Sequence, residues 1–383
     1  MIRALPLALR YLWAHPLGAL IRVACVAITL ALPLVVHVLV DHYAHLLTAR
    51  AEVTPLVLGA PGSRHDLIMT TLYFRPTPVP PITQGAAMQI QETDRGLVIP
   101  LHTRFTARGW PVVGTTPDYF SFRALKPAQG RLPLIIGEAV VGARVAEDLK
   151  LAPGGTVISD QKSLYNLAAT YPLKMKVVGV LPPTGSADDE AVFVDVKTAW
   201  IIEGLAHGHQ DVSDEAAPGE TNVKANPGLV EFQEVTPENM HTFHMHGDPE
   251  GFPLTAALVV PHSPRDRTVL TAQVNADTEG PQLVAPAAVI EEILAVVFKV
   301  KRFLDLHGLV VAISTALLLA LVVVLGLRLR RPEMQTLKLM GASRGVIFWV
   351  NAWEWIGVFV FGATIALLLT WGALEWAPAL VGL

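Results

Sequence analysis

The sequence has few charged residues and almost no cysteine. Of its 383 residues, 16% are charged and 52% are hydrophobic, whereas soluble globular chains carry about 25% charged residues. The formal net charge of −4 does not favour nucleic acid as a partner. The single cysteine, Cys25, excludes a disulfide within the chain.

Several motifs of enzymes and nucleotide-binding proteins are also missing. No G-x-x-x-x-G-K-[ST] sequence occurs, so the chain has no Walker loop for ATP. No H-E-x-x-H sequence occurs, and Ser63, Ser159 and Ser263 lie in no nucleophile-elbow pattern. The sequence therefore predicts a non-catalytic chain.

Three apolar runs predict an α-helical membrane protein, because about 20 apolar helical residues cross a hydrocarbon core of about 30 Å. The first run is 17–41, where Arg22 is expected to extend its charge to the interface. Residues 286–327 form a helical stalk that continues into the second span, and 308–327 carry no charge. The third run, 346–371, contains one intramembrane acid, Glu354. The alternative for the first run is a cleaved signal peptide, but the run exceeds the usual core of roughly 7–15 residues.

The basic residues near the spans predict the orientation of the chain. Residues 328–345 contain five basic residues and one acid, Glu333. Residues 1–16, with Arg3 and Arg10, resemble an interfacial helix. Both segments are predicted to be cytoplasmic. Residues 42–285 and the tail 372–383 are then expected on the periplasmic side of a bacterial inner membrane. Three basic residues at 299–302 are an exception at the base of a large translocated domain, where the rule is weak.

The block 42–285 is predicted to be a mixed α+β domain with two subdomains, since it exceeds the usual size of one domain. Short apolar runs bounded by proline and glycine predict strands. These strands are 55–59, 96–101, 111–114, 132–137, 156–159, 174–181, 191–196, 230–235 and 256–261. A turn is predicted at 115–118, helices at 138–151 and 263–276, and a mobile loop at 203–226.

The loop between the second and third spans has helical spacing. If 332–340 is a helix, Glu333, Leu337 and Met340 share one face, which is a candidate contact surface for a cytoplasmic partner. Gly341 is then expected to end the helix at its C′ position. Lys338 and Arg344 are alternative contacts for lipid phosphates. The competing interpretation is an ordinary positive-inside loop with a capping glycine.

A cluster of histidine and methionine predicts a second candidate site. His241, His244 and His246 supply three imidazoles, and Met240 and Met245 supply thioethers, which together suit zinc or copper(I). Neither a helix nor a strand presents all three histidines on one face. The alternative is polar surface beside a turn.

The order of spans, outer domain, stalk and basic loop resembles the permease subunits of the MacB, LolC/LolE and FtsX group of ABC transporters (type VII, mechanotransmission). The loop residues that match are Glu333, Leu337, Lys338, Gly341, Ala342 and Ser343. Weaker matches in the outer domain are 113–120, 137–142 and 177–181. Members of that group have four spans and this sequence has three, so either the chain is naturally short or a partner helix fills the fourth place.

The resemblance implies a mechanism and a set of partners. A separate cytoplasmic ATPase dimer, with its own ATP and Mg, moves the loop and thereby the periplasmic domain, for export or extraction of a lipid, lipoprotein, peptide or toxic compound. No cofactor is expected in this chain apart from the zinc or copper hypothesis. The other implied partners are a second permease copy, a periplasmic adaptor or substrate-binding protein, and membrane lipid. Two alternatives are an FtsX-like regulator of a periplasmic partner, such as a cell-wall hydrolase, and a membrane-anchored sensor without an ATPase.

Overall fold

The computed structural model of the chain describes residues 5–161, 172–208, 233–236, 238–245, 247–329 and 331–381. Its α-helices are α1 (Leu5–Ala14), α2 (Pro16–Val53), α3 (Arg64–Tyr73), α4 (Gln84–Glu92), α5 (Pro117–Phe122), α6 (Ala143–Asp148), α7 (Val196–Glu203), α8 (Pro264–Val274), α9 (Pro286–Leu329), α10 (Arg331–Leu339) and α11 (Arg344–Val381). Its strands are β1 (Leu56–Gly59), β2 (Ile82–Thr83), β3 (Gly96–Ala107), β4 (Trp110–Thr115), β5 (Gln129–Gly130), β6 (Glu138–Val141), β7 (Thr156–Ile158), β8 (Leu173–Val180), β9 (Val192–Asp195), β10 (Ala206–Gly208), β11 (Gln233–Glu234), β12 (Phe243–Met245), β13 (Pro253–Leu254), β14 (Ala256–Pro261) and β15 (Gln282–Val284).

The chain forms two compact units. Met1–Leu46 and Ile293–Leu383 form the first, here named the helical unit, and Leu47–Glu292 form the second, here named the sheet unit. Within the described residues, three helices are long and apolar enough to cross a membrane: Pro16–Val53, Pro286–Arg328 and Arg344–Trp376. The predicted class, three helical spans with a large inserted α+β domain, is confirmed.

The helical unit contains helices that are longer than the predicted spans. Helix α2 continues well beyond residue 41, and α11 continues through the predicted tail to Val381. Pro33 lies inside α2 and has no amide hydrogen to donate to the carbonyl of Thr29. Gly308 of α9 faces this proline, since a Cβ built on the glycine lies 3.6 Å from the Pro33 Cβ. Helix α9 contains no proline after Pro286.

Helix α11 buries one stripe of residues at four-residue spacing. Its members are Glu354, Val358, Gly362, Ala366 and Thr370. Four-residue spacing places side chains above one another on one helix face. The first half of α2 also buries small or β-branched apolar residues, namely Val26, Ala27 and Ala31. The buried glycine lets backbones approach closely, as is common between membrane helices.

The sheet unit is built on one mixed eleven-stranded sheet within the described residues. Its strand order is β11-β8-β6-β9-β4-β3-β14-β1-β15, and β5 and β7 also pair with β8. Ala256–Val259 of β14 are fully buried because the strand lies between β3 and β1. Such central strands read as continuous apolar runs, which is why the sequence predicts this strand. Among its described residues, two buried hydrophobic clusters are present. The division into two subdomains stays a prediction.

The sequence misplaces one central strand. It predicts a strand at 132–137 and a helix from 138, whereas the structure has β6 at Glu138–Val141 and α6 only from Ala143. Leu134 is 76% exposed, so this earlier run is not a core strand. A short apolar run such as Ala139–Val141 fits a buried strand and a buried helix equally by periodicity, and pairing with β8 and β9 decides between them.

Smaller differences concern the ends of elements. Strand β3 extends to Ala107, beyond its predicted end at 101. The predicted turn at 115–118 contains the start of α5, whose first residue is Pro117. In the described part of the predicted strand 230–235, Gln233–Glu234 form a strand. Residues 230–232 and most of the predicted mobile loop lie outside the described residues.

Candidate functional site

The loop between α9 and α11 contains the predicted short helix. Helix α10 ends in a Schellman motif: Ala342 N donates to the Leu337 carbonyl at 3.0 Å, and Gly341 N donates to the Lys338 carbonyl at 3.1 Å. Gly341 has a φ of 91°, the left-handed conformation that this C′ position requires. The predicted role of Gly341 as the helix terminator is confirmed.

The end of α10 exposes apolar side chains. Leu339 is 89% exposed and Met340 is 77% exposed, whereas Leu337 is half-buried and Lys338 is exposed. Leu339, which the predicted contact face does not include, is the most exposed apolar residue among the described side chains of α10. The contact face itself stays a prediction. The backbone of Glu333 lies in α10, and its side chain lies outside the described part of the chain.

Ser343 connects the end of α10 to the start of α11. The Val346 amide donates to the Ser343 carbonyl at 3.0 Å and lies 3.4 Å from its hydroxyl oxygen. Ser343 thus occupies the N-cap position, which serine favours because it accepts from the free amides of the first turn. Ala342, the only residue between Gly341 and Ser343, is half-buried. The turn between the two helices is therefore short and hydrogen-bonded.

Glu354 is paired inside the helical unit. Its Oε1 accepts a hydrogen bond of 2.8 Å from Nη1 of Arg22, and the Glu354 side chain is 2% exposed. The Arg22 guanidinium also lies 5.2 Å from the centre of the Trp355 ring, a cation–π contact. Arg22 Nε also donates to the Gly18 carbonyl at 3.0 Å, one turn nearer the start of α2. The extension of Arg22 to the membrane interface stays a prediction.

The sheet unit contains a buried charged network that the sequence patterns do not reveal, here named the Arg50 network. Arg50, in the last turn of α2, donates to both carboxylate oxygens of Asp188 at 2.7 and 2.9 Å. It also donates to the Tyr119 hydroxyl at 2.9 Å, and that hydroxyl donates to Asp188 at 2.6 Å. A further bond joins Arg50 Nε to the Leu72 carbonyl, and the guanidinium lies 5.4 Å from the Phe74 ring centre. Every charge in the network is therefore paired.

Burial and pairing shift the pKa of Asp188 in opposite directions. Burial by itself raises the pKa of Asp188, but the charge and hydrogen bonds of Arg50, with the Tyr119 hydroxyl, outweigh it and hold the pKa below its usual value. Burial raises the pKa of the Tyr119 phenol, so the hydroxyl keeps the proton that it donates. The network therefore consists of one cation, one anion and one neutral donor at neutral pH.

The predicted metal cluster is only partly described. Phe243 and Met245 of β12 pack against a buried hydrophobic cluster, while His244 is exposed and its Nδ1 lies 3.1 Å from the Thr242 carbonyl oxygen. His241 is exposed and His246 lies outside the described residues. Among the residues that the structure describes, no three histidine, cysteine or acidic side chains are grouped to hold a metal. Zinc or copper binding stays a prediction.

A cavity of about 380 Å³ adjoins β12. Most of its lining is apolar, including Ile201, Met240 and Met245, and its polar lining comes from Asp195, Lys197 and His244. The carboxylate of Asp195 already accepts from the Lys197 amide at 2.9 Å as a helix cap.

Two family models match the chain. The model of the MacB-like periplasmic core domain matches residues 36–232. The model of the FtsX-like permease C-terminal domain matches residues 306–381, which include α10 and α11. The chain is thus a membrane protein with a periplasmic domain. No protein among the curated ones matches it.

Two solved structures are similar to part of the chain. The periplasmic region of MacB from Actinobacillus actinomycetemcomitans is 12% identical with a TM-score of 0.37, and the match covers 63% of this chain and 92% of that one. The extracellular domain of the noncanonic ABC-type transporter YknZ from Gram-positive bacteria is 13% identical with a TM-score of 0.34, and the match covers 60% and 99%. On the two family models, which between them match most of the sheet unit and the end of the helical unit, the chain belongs to the MacB/FtsX-like family of ABC transporter permeases.

Proposed function

We propose that the chain is a permease subunit that couples ATP hydrolysis by a separate cytoplasmic ATPase to motion of its periplasmic domain. The motion exports or extracts a lipid, lipoprotein, peptide or toxic compound. The observation that carries the proposal is the end of α10, where Leu339 and Met340 are 89% and 77% exposed between two membrane-spanning helices.

Two adjacent exposed apolar side chains on a helix end are suited to a groove on a partner protein. An amphipathic helix binds such a groove through a few apolar anchors. The Schellman motif fixes the backbone that carries the two side chains at the point where the chain turns from α10 into α11, so that little backbone entropy is lost on binding. The basic residues around the loop support a cytoplasmic position of this surface at a bacterial inner membrane, with the N-terminus on the same side.

The partners follow from this arrangement. ATP and Mg belong to an ATPase dimer that contacts α10, and a second permease copy completes the membrane part. Around Leu339 and Met340, the contact region includes the five residues on and beside α10 that match the family pattern and lie within the described side chains. They are Leu337, Lys338, Gly341, Ala342 and Ser343.

The experiment is affinity purification of the full-length chain from native membranes, with mass spectrometry of the proteins and lipids that come with it. An ABC ATPase is expected with the wild type. Its amount should fall at least tenfold with Leu339→Asp or Met340→Asp. A tenfold change requires roughly 1.4 kcal/mol, and placing a charge in an apolar groove costs more than that. Gln335→Asp is the matched control, since Gln335 is exposed on the same helix and its variant adds the same charge.

The outcomes separate the parts of the proposal. Full retention of the ATPase by both aspartate variants contradicts the placement of the contact at Leu339 and Met340. Absence of any ATPase from the wild-type preparation contradicts the coupling function. An ATPase together with a cell-wall hydrolase, without bound lipid or lipoprotein, supports regulation instead of transport.

A further inference from the structure

The ion pair between Arg22 and Glu354 lies at a depth where charges are costly. Arg22 is about 9 Å from the start of α2, and Glu354 is about 15 Å from the start of α11. The carboxylate side chain is 2% exposed and the arginine side chain 13%. Charged side chains inside membrane segments are rare, face the bundle interior and pair with one another. Removing either residue would therefore leave the other charge inside the membrane segment without this partner.

The pair stands at one end of the contact between α2 and α11. Two turns further along α11, a Cβ on Gly362 would lie 2.7 Å from Cγ1 of Val26 and 3.3 Å from the Val23 carbonyl oxygen. The two backbones thus approach closely at Gly362. Close packing alone leaves the relative sliding of two smooth helices weakly specified, whereas a hydrogen-bonded charge pair fixes one register.

The position of the pair along the chain connects it with the loop. Glu354 belongs to α11, which starts immediately after the Schellman turn of α10, and α10 packs against the start of α11. Arg22 belongs to α2, which in turn contacts α9 through a Thr29–Thr315 hydroxyl pair at 3.2 Å. A displacement of α10 reaches α11 first, and Arg22–Glu354 is the charged connection from α11 to α2 within the described residues.

We infer that Arg22 and Glu354 are positioning residues for coupling, which hold α2 in register with α11 so that a displacement of α10 and α11 is passed on to α2. The inference rests on the proposed function. The proposed role of the Glu354 carboxylate is to fix the position of α2 along α11, and not to line a transport pathway. Because the pair acts through helix positions, its loss affects how far α2 follows α11 and not whether the ATPase binds α10.

The native cysteine provides the reporter. Cys25 is the only cysteine in the sequence and is exposed on α2, one turn from Arg22. A nitroxide label on Cys25 is followed by electron paramagnetic resonance in the full permease–ATPase complex in nanodiscs, with and without a non-hydrolysable ATP analogue. The wild type is expected to change its label mobility when the analogue binds.

Three variants test the pair. Arg22→Met with Glu354→Met removes both charges and keeps the volume of the side chains, so the complex assembles but the label response falls by at least half. The charge exchange Arg22→Glu with Glu354→Arg restores the response. The control is Asp41→Asn with Lys301→Met, which removes another interhelical ion pair of α2, at 2.7 Å to α9, and leaves the response unchanged.

The results distinguish the two levels of inference. An unchanged response in the doubly neutral variant overturns the positioning role, even though the ATPase is bound. An equal loss in the Asp41 and Lys301 control also overturns it, because the effect is then general destabilisation. If no ATPase assembles with the wild-type chain, the proposed function itself fails.

Discussion

Replacing Arg50 by methionine should destabilise the sheet unit strongly. The substitution leaves the carboxylate of Asp188 buried and without its bidentate partner, since Arg50 and Asp188 are 8% and 3% exposed. Removing one member of a buried pair costs about 3–5 kcal/mol. For a unit of this size, each 1 kcal/mol shifts the melting temperature by about 2–4 °C, so the expected decrease is about 6–20 °C.

The assay is hydrogen exchange of the full-length chain in nanodiscs, followed at amides of β9 and of the segment Ala187–Glu190 beside it. A loss of 3–5 kcal/mol lowers protection by roughly two to three and a half orders of magnitude. Replacing the network by apolar residues, Arg50→Met with Asp188→Leu and Tyr119→Phe, should recover part of the stability, because no carboxylate then lies buried without its cation. The recovery is incomplete because Arg123 loses the Tyr119 hydroxyl and the Asp188 charge.

The matched control is Arg95→Met. Arg95 pairs with Asp266 at 3.1 Å, but its side chain is 39% exposed, and exposed ion pairs contribute at most about 1 kcal/mol. A loss of less than about 1 kcal/mol in Arg50→Met, equal to that of the control, would show that the Arg50 network does not stabilise the unit.

Three further predictions concern pH, the loop and the metal hypothesis. The pKa of Asp188 is lowered in the folded chain. Its stabilising contribution is therefore present above the unfolded pKa of about 3.9 and is lost as pH falls through the folded pKa. Denaturation midpoints measured between about pH 5 and 2 should fall less steeply with decreasing pH in Asp188→Asn than in the wild type. Gly341→Ala should fray the end of α10 at a cost of about 1–2 kcal/mol, because the φ of 91° is unfavourable for alanine. Within the described residues no atom lies near the new methyl group, so the cost comes from the backbone alone. Hydrogen exchange should detect this change, and the control Gly345→Ala, inside a helix, should not show it. Calorimetric titration with zinc or copper(I) should show stoichiometric binding that His241→Ala with His244→Ala abolishes, and unchanged binding would contradict the metal site.

The sequence predicts features that depend on neighbouring residues. The end of α10 follows from a helical pattern closed by Gly341, and β14 follows from an apolar run closed by Pro261. In both cases the physical cause lies within a few residues of the feature, because capping and strand burial leave local patterns. The three spans are predictable for the same reason.

The partners of the buried charges are not predictable in this way. Arg22 and Glu354 are 332 positions apart, and Arg50 and Asp188 are 138 apart. The sequence shows an arginine near the outer end of a long helix and an acidic run at 188–190, but no periodicity relates them. Their pairing is decided by tertiary packing, which brings a turn between β8 and β9 onto the end of α2.

The proline within α2 gives the two long helices different mechanical properties. Helix α2 lacks one backbone hydrogen bond at Pro33, and kinks in helices concentrate at such positions. Gly308 offers only a hydrogen atom opposite the pyrrolidine ring, so that the ring can tilt without meeting a side chain. Helix α9 has an uninterrupted hydrogen-bond ladder over 44 residues. When force is applied along the two helices, α9 transmits it as a stiff rod, while α2 bends at Pro33, which lies nearly halfway along its 38 residues.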